Sequence, residues 1–195
     1  MIEAGVGVST AKDALTAGKE AVEKALKHLG KSPSLMMVFA SPIYQQKELL
    51  ASITSLTKNI PFIGGTPAGE ISTWGVSDDS VVILALHSRD NSFSLCIEQH
   101  LKRGEFRAGR QLALSLKKNI KGKPSTLLLF PGGKAGNLSE LIKGTQSVLG
   151  EAFPIFGGAL GDRSDFKKTH QYYNGKVYED SVVGAFDGNL ENLVI

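Results

Sequence analysis

The sequence predicts a mixed α/β fold made of two tandem, pseudo-symmetric βαβαββ halves, with mixed sheets covered by helices. Internal similarity is the first observation, because residues 16–40 align without a gap on residues 107–131 with six identities in 25 positions, where average composition predicts about one or two. The second is a repeated glycine signature, PFIGGTPAGE at 61–70 and PIFGGALGD at 154–162. We therefore interpret the chain as one domain, 1–195, with halves near 1–90 and 91–195.

Each half begins with an alternation of apolar and polar residues, in IEAGVGV and in FSLCIEQ, which predicts a strand. A helix is expected next, because apolar residues then return every three or four positions. The first helix is predicted to begin after the capping residue Thr10, with Asp13 three positions later, and to end at Gly30.

The middle of each half contains a continuous apolar segment, LMMVF or TLLLF, which is typical of a strand buried on both faces. Helices are predicted to follow at about 43–58 and 138–149. Asn137 is suited to cap the second of these and Gly150 to end it. Each half is expected to finish with strands, and Asn174-Gly175 predicts a type I′ hairpin turn in the second half.

Composition excludes several classes of protein. A net charge of +3 is too small to indicate nucleic-acid binding by itself, without clustering of the basic residues. The single Cys96 excludes an intramolecular disulfide, and no pair among the four histidines has the spacing of a zinc site, so we expect no metal and no cofactor. The chain contains no apolar run of about 20 residues and begins with no signal-like segment, which predicts a cytoplasmic protein without a membrane span.

The repeated glycine signature does not fit a dinucleotide-binding loop, because its first two glycines are adjacent and strand-like sequence follows. Two interpretations remain open. The glycines can permit a tight bend and close approach of backbones, or the two segments can line a ligand site. The candidate ligand-binding residues in the two copies are Gly64, Gly65, Thr66, Gly69, Glu70, Gly157, Gly158 and Asp162.

The loop in LLLFPGGKAGNLSE, residues 127–140, lies between a buried strand and a helix start. It lacks the Ser or Thr and the spacing of a P-loop. Backbone amides near Gly133, together with Lys134 and Asn137, can nevertheless receive a carboxylate or a phosphate. The alternative is an ordinary connecting loop with a solvated lysine.

A basic stripe follows the third predicted helix. If the chain advances about 100° per residue, its members fall within an arc of about 80°. The members of this stripe are Arg103, Arg107, Arg110, Lys117 and Lys121. It can contact an acidic protein partner, whereas the absence of interleaved aromatic residues argues against RNA, and a solvated helix face is the alternative. Arg107, Arg110 and Lys117 are the candidate interaction residues.

No sequence motif for catalysis is present, since no serine lies in GxSxG and the histidines are scattered. We therefore expect a protein that is not an enzyme. An enzyme acting on an acyl or phosphoryl group near Lys134 and Asn137 is kept as an alternative, beside an interaction scaffold that uses the basic stripe.

The order of GVGVST, LMMVFAS, PFIGGTPAGE and the SVV strand, followed by LLLFPGG, FPIFGGALGD, YYNGKV and DSVVGAF, resembles the FIST N-terminal domain. This resemblance covers nearly the whole chain and implies a sensory module of signal-transduction proteins, proposed to bind small ligands such as amino acids. It implies that amides near Gly65 and Gly158 hold a carboxylate while Glu70 or Asp162 holds an ammonium. A FIST C-terminal domain normally follows. None follows Ile195 here, so we expect a fragment or a stand-alone module, with signalling proteins or a FIST C-like domain as partners.

Overall fold

A computed structural model of the protein describes residues 1–134, 136–163 and 168–189. The elements up to residue 90 are β1 (Ile2–Ser9), α1 (Ala14–Leu29), β2 (Leu35–Ala40), α2 (Gln46–Thr57), β3 (Phe62–Gly65), β4 (Glu70–Ser72), β5 (Gly75–Ser77) and β6 (Val81–Ser88). The later elements are β7 (Asn91–Gln99), α3 (Glu105–Asn119), β8 (Lys123–Pro131), α4 (Leu138–Leu149), β9 (Ile155–Gly157), β10 (Gln171–Tyr173), β11 (Lys176–Tyr178) and β12 (Ser181–Asn189). The predicted mixed α/β class is therefore confirmed.

The helix ends follow from local capping chemistry. Asp13, not Thr10, caps α1, because its Oδ2 accepts the Thr16 amide hydrogen bond at 2.7 Å; the predicted Thr10 cap is wrong. Gly30 ends α1 with a left-handed φ of 66°, as predicted. The Asn137 cap of α4 is also confirmed, since its Oδ1 accepts from the amide of Ser139 at 3.1 Å.

The strands form a six-stranded sheet in the order β1-β6-β2-β3-β10-β11 and a four-stranded sheet in the order β7-β12-β8-β9. The first four strands of the six-stranded sheet and the four strands of the second sheet share one order of pairings. In each set the first two neighbouring pairs are antiparallel and the third is parallel. This correspondence agrees with the internal similarity. Descent of the two halves from one duplicated unit stays a prediction, which superposition of residues 1–90 on 91–195 tests.

The hairpins that finish the halves have different positions. β10 pairs antiparallel with β3, so the hairpin β10–β11 from the second half belongs to the sheet of the first half. The hairpin β4–β5 instead forms a separate two-stranded sheet. The predicted turn at Asn174-Gly175 joins β10 to β11, and both residues have positive φ values of 45° and 80°.

Three apolar clusters hold these layers together. The first packs α1 and α2 on the six-stranded sheet, and the second packs α3 and α4 on the four-stranded sheet. The third lies between the sheets and includes Leu35 and Ile63 from one, and Phe130 and Val183 from the other. Both faces of the central strands are thus covered, which explains the continuous apolar runs LMMVF and TLLLF.

Candidate ligand site at the glycine junction

The two glycine signatures contact each other where the halves meet. The Thr66 hydroxyl donates to the Gly161 carbonyl at 2.6 Å, and the Gly161 amide donates to the Thr66 carbonyl at 2.8 Å. The His170 amide donates to the Thr66 hydroxyl at 3.0 Å. Thr66 is fully buried, so its hydroxyl connects the end of β3 with the segments at Gly161 and His170 rather than facing solvent. We call residues 64–66, 132–133 and 160–162 the glycine junction.

Close packing of backbones explains most of these glycines. A Cβ on Gly65 would lie 2.2 Å from the His170 carbonyl oxygen, and one on Gly133 would lie 2.0 Å from that of Leu160. Gly64 and Gly157 have φ values of 151° and 142°, and a Cβ on either would lie 1.9 Å from a carbonyl oxygen of the neighbouring strand. The structure therefore supports the close-approach interpretation at these four positions.

Gly69 and Gly158 differ, because a Cβ at either position would have no atom within 4 Å. The amides that were candidates for binding a carboxylate are already donors within the protein. The Gly158 amide donates to Leu129 at 3.2 Å, and the Thr66 amide donates to His170 at 3.0 Å. A ligand carboxylate at these amides would have to compete with both bonds.

Glu70 is buried at the start of β4. Its Oε2 accepts from the Ser80 amide at 3.1 Å and from the Ser80 hydroxyl at 3.2 Å. Burial raises the pKa of Glu70, although the bonds from Ser80 oppose that shift. Gln171 has the corresponding position at the start of β10, where its Oε1 accepts from the Ser181 amide at 3.1 Å and hydroxyl at 2.9 Å.

Asp162 does not correspond to Glu70, although both acids follow a glycine bend. It is buried at the glycine junction, and its Oδ2 accepts from the Lys168 amide at 2.6 Å. The two signatures therefore diverge after their last glycine, because the second needs a longer connection before its hairpin begins at Gln171. Alignment of the two short motifs alone could not reveal this offset.

A small pocket of about 90 Å³ lies beside the glycine junction. Its wall carries cations and anions together. The lining residues are Leu101, Lys102, Gly132, Lys134, Lys168, Thr169, Glu179 and Asp180. Of the sequence candidates, only Lys134 lines it. The Lys168 ammonium lies 2.6 Å from Glu179 Oε1, and this exposed pair contributes little stability by itself.

His170 lies against this pocket wall. Its Nε2 is 3.9 Å from Glu179 Oε1, and its Nδ1 is buried without a hydrogen-bond partner among the described residues. Burial, assisted by the nearby Lys168 charge, lowers the pKa of His170 below its ordinary value. The imidazole is therefore neutral at pH 7.

Sequence reasoning missed the main charged residues of the pocket. Lys168 and Glu179 come from separate loops, Lys102 comes from the short 3-10 helix Leu101–Arg103, and none of them belongs to a recognisable motif. The nearest signal in the sequence was a repeated segment, Asp78-Asp79-Ser80 in the first half and Glu179-Asp180-Ser181 in the second, each just before an apolar strand. The second copy contains the pocket residues Glu179 and Asp180. Local spacing could not indicate that these loops meet, because their contact depends on long-range sheet pairing.

The remaining candidates lie elsewhere. Asn137 is exposed and caps α4, and its amide donates to Glu105 Oε1 at 3.3 Å. Arg107, Arg110 and Lys117 are exposed on α3. Arg107 lines a separate cleft of about 330 Å³ with Arg103 and Glu98, among other residues. Burial raises the pKa of Glu98, and the Arg107 charge opposes that shift.

Two further features concern metal ions and membranes. Across residues 1–134, 136–163 and 168–189, no three His, Cys, Asp or Glu side chains are grouped closely enough to hold a metal ion. Among the helices in those ranges, none has both the length and the apolar composition that a bilayer crossing requires.

Two helix-covered mixed sheets with a small charged pocket beside the glycine junction define a mixed α/β module. Comparison with family models matches the FIST N domain over residues 34–192, and the chain belongs to that family. FIST domains are sensory modules of signalling proteins. No curated protein matches the chain. Among solved structures, the chain is similar to cyanuric acid hydrolase from A. caulinodans, with 8% identity, 96% of this chain and 71% of that chain covered, and a TM-score of 0.47.

Proposed function

We propose that this FIST N domain is a non-catalytic sensor that binds a small amino acid, or another small carboxylate, in the pocket beside the glycine junction. The observation that carries the proposal is the presence of three lysines and two carboxylates on the wall of one pocket of about 90 Å³. An amino acid at pH 7 carries one carboxylate and one ammonium, so a wall with both signs of charge is complementary to it.

The charges suggest an orientation for the ligand. Its carboxylate would meet Lys102, Lys134 and Lys168, and its ammonium would meet Glu179 and Asp180. The ligand carboxylate would compete with Glu179 for Lys168, whose ion pair is exposed and therefore weak in the free protein. This arrangement replaces the amides near Gly65 and Gly158 as the principal carboxylate donors, because the Thr66 and Gly158 amides already donate within the protein.

The size of the pocket restricts the ligand. One ordered water needs about 10–15 Å³ of comparable volume, and pockets for drug-sized molecules measure about 300–1,000 Å³. A pocket of about 90 Å³ therefore suits only a few non-hydrogen atoms. We expect the smallest amino acids to bind best and aromatic ones to be excluded.

A short path connects this pocket to the other half of the chain. Thr169 lines the pocket, and the amide of the next residue, His170, donates to the buried Thr66 hydroxyl at 3.0 Å. A ligand that shifts the 168–170 segment would therefore strain the bonds at the glycine junction. This contact supports a sensory role, since occupancy of the pocket can alter the relation between the halves.

Enzymatic activity is not part of the proposal. The alternative of acyl or phosphoryl chemistry near Lys134 and Asn137 needs a free Asn137 side chain, but its Oδ1 caps α4 through the amides of Ser139 and Glu140. A polar pocket with weakly held ion pairs can bind a charged ligand without a nucleophile. Incubation with a metabolite mixture should therefore leave the mixture unchanged by mass spectrometry.

A thermal-shift panel of amino acids and small acids tests the binding proposal. A ligand present at 100 times its dissociation constant should stabilise the protein by about 2.7 kcal/mol. Lys168→Met should abolish that shift, whereas Lys47→Met, which changes an exposed lysine on α2, should retain it. If no compound raises the melting temperature, or if the Lys168→Met protein responds as the wild type does, the proposed pocket is wrong.

The cleft of about 330 Å³ beside α3 favours one rival function, docking of an acidic protein segment through the basic stripe. Arg103 and Arg107 both line this cleft, and Arg110 follows on the same helix. Neither Arg107 nor Arg110 lines the small pocket, so Arg107→Glu with Arg110→Glu should leave the ligand-induced thermal shift intact. If α3 docks an acidic partner, the same charge reversal should abolish capture of that partner in a pull-down while the protein stays folded.

A further inference from the structure

The internal hairpin contact between the halves shows how one strand edge is covered. The outer edge of β3 pairs with β10, with Ile63 opposite Tyr173 and Gly65 opposite Gln171. The Asn174 side chain accepts from the Phe62 amide at 3.1 Å and its own amide donates to the Phe62 carbonyl at 3.0 Å. On this covered strand Ile63 is completely buried and Phe62 retains only 2% exposure.

Among residues 1–134, 136–163 and 168–189, no strand pairs with the corresponding edge in the second sheet. β9 pairs with β8 in the same parallel sense in which β3 pairs with β2, and among the described strands it lies at the end of its sheet. Phe156, which corresponds to the buried Ile63, is 60% exposed. An apolar groove of about 220 Å³ lies between this edge and α4, with Leu141, Ile142 and Ile155 in its wall.

The hairpin β4–β5 is the matching element of the first half, and no other described strand pairs with it. Its register pairs Ile71 with Val76, as that of β10–β11 pairs Tyr172 with Val177. Tyr172 is completely buried, whereas Ile71 and Val76 are each 76% exposed, and Trp74 in the turn is 67% exposed. Isolated two-stranded hairpins are marginally stable in water, and exposed apolar clusters of this kind mark interaction surfaces.

We infer that β4–β5 of one copy of this chain adds to the free edge of β9 in a second copy, as β10–β11 adds to β3 within one copy. Each molecule carries both surfaces, and β4, β5 and β9 all contain three residues. Main-chain hydrogen bonds would extend the four-stranded sheet, and Ile71 and Val76 would cover the groove beside α4. Phe156 would then lie opposite Ser72 on the other face, as Ile63 lies opposite Tyr173. The contact joins two different surfaces, so it is head-to-tail.

Trp74 makes this contact directly measurable, because it is the single tryptophan of the chain. Sedimentation velocity and tryptophan fluorescence should be recorded on the same dilution series of the full chain. We expect the mass to rise with concentration and the Trp74 emission to shift to shorter wavelength over the same range. Phe156→Lys and Ile71→Lys, each at an exposed position, should weaken self-association at least tenfold.

Two controls separate the proposed contact from other association. Leu15→Lys changes an apolar residue on α1 that is 51% exposed and should leave association unchanged. An equimolar mixture of the Phe156→Lys and Ile71→Lys proteins should recover association, because the first keeps an intact hairpin and the second keeps an intact β9 edge. Overturning results are a monomer with unshifted Trp74 emission at every concentration, association that survives both substitutions, or a mixture that stays monomeric.

Discussion

At the scale of single residues, the glycine signatures combine packing with polar contacts. Gly65 and Gly69 belong to the same motif, yet only Gly65 lies so close to other atoms that a Cβ would overlap them. Thr66, which sequence reasoning treated as a ligand candidate, is a buried connector with bonds to Gly161 and His170. Glycine spacing predicts a bend, but it does not predict which residues use their polar groups internally.

Glu70 should make stability depend on pH in a direction opposite to that of a salt-bridged acid. Burial raises its pKa above the ordinary value of 4.5, so the folded state binds this proton more tightly than the unfolded state does. The resulting stabilisation is fully present below pH 4.5 and is lost as the pH rises through the folded-state pKa. Glu70→Gln should therefore increase the free energy of unfolding at pH 7, and the increase should vanish toward pH 4.

Urea unfolding of the wild-type and Glu70→Gln proteins between pH 4 and pH 8 measures this effect. Gln171 shows that an amide in the corresponding position accepts both bonds from its serine. Glu151→Gln, at an exposed position, is the matched control for replacing a carboxylate by an amide. A Glu70→Gln protein that is less stable at pH 7 would contradict the assignment of Glu70 as a carboxylate penalised by burial.

At the scale of secondary-structure elements, the sequence predicted the helix ends and the turn that depend on local interactions. The Asn137 cap, the Gly30 helix end and the Asn174-Gly175 turn each depend on a few neighbouring residues, and all three are confirmed. The start of α1 was misplaced because Thr10 and Asp13 both have suitable side chains. Only the structure shows that Asp13 accepts the Thr16 amide.

The cap of α4 gives a quantitative prediction at this scale. Asn137→Ala removes the acceptor of the Ser139 and Glu140 amides, which should lower the free energy of unfolding by about 1 kcal/mol. Gln45 precedes α2 in the corresponding position but makes no side-chain cap bond, so Gln45→Ala should cost much less. Urea denaturation of both variants measures the difference, and equal losses would mean that the Asn137 bonds contribute little.

At the scale of the whole molecule, the sequence predicted the repeated order of elements but not their connections. Residues 16–40 and 107–131 carry the same pattern because each must cover one face of its own sheet. The pairing of β10 with β3 joins residues more than 100 positions apart. The sequence of neither strand indicates which strand it pairs with. The pocket depends on the same long-range arrangement, so its charged wall could not be predicted either.

The shared sheet also predicts how the molecule unfolds. Because β10–β11 from the second half completes the sheet of the first half, unfolding of either half removes contacts from the other. We therefore expect one calorimetric transition, with a calorimetric enthalpy equal to the van't Hoff enthalpy.

Thr66→Val leaves the His170 amide and the Gly161 carbonyl without their buried partner, which should cost about 1–3 kcal/mol and lower the melting temperature of that single transition. Thr57→Val, which loses a buried hydroxyl bond within α2, is the matched control for hydroxyl removal and should also retain one transition. Two resolved transitions in the wild-type protein would mean that the halves fold independently and that the β3–β10 pairing couples them too weakly to transmit ligand binding.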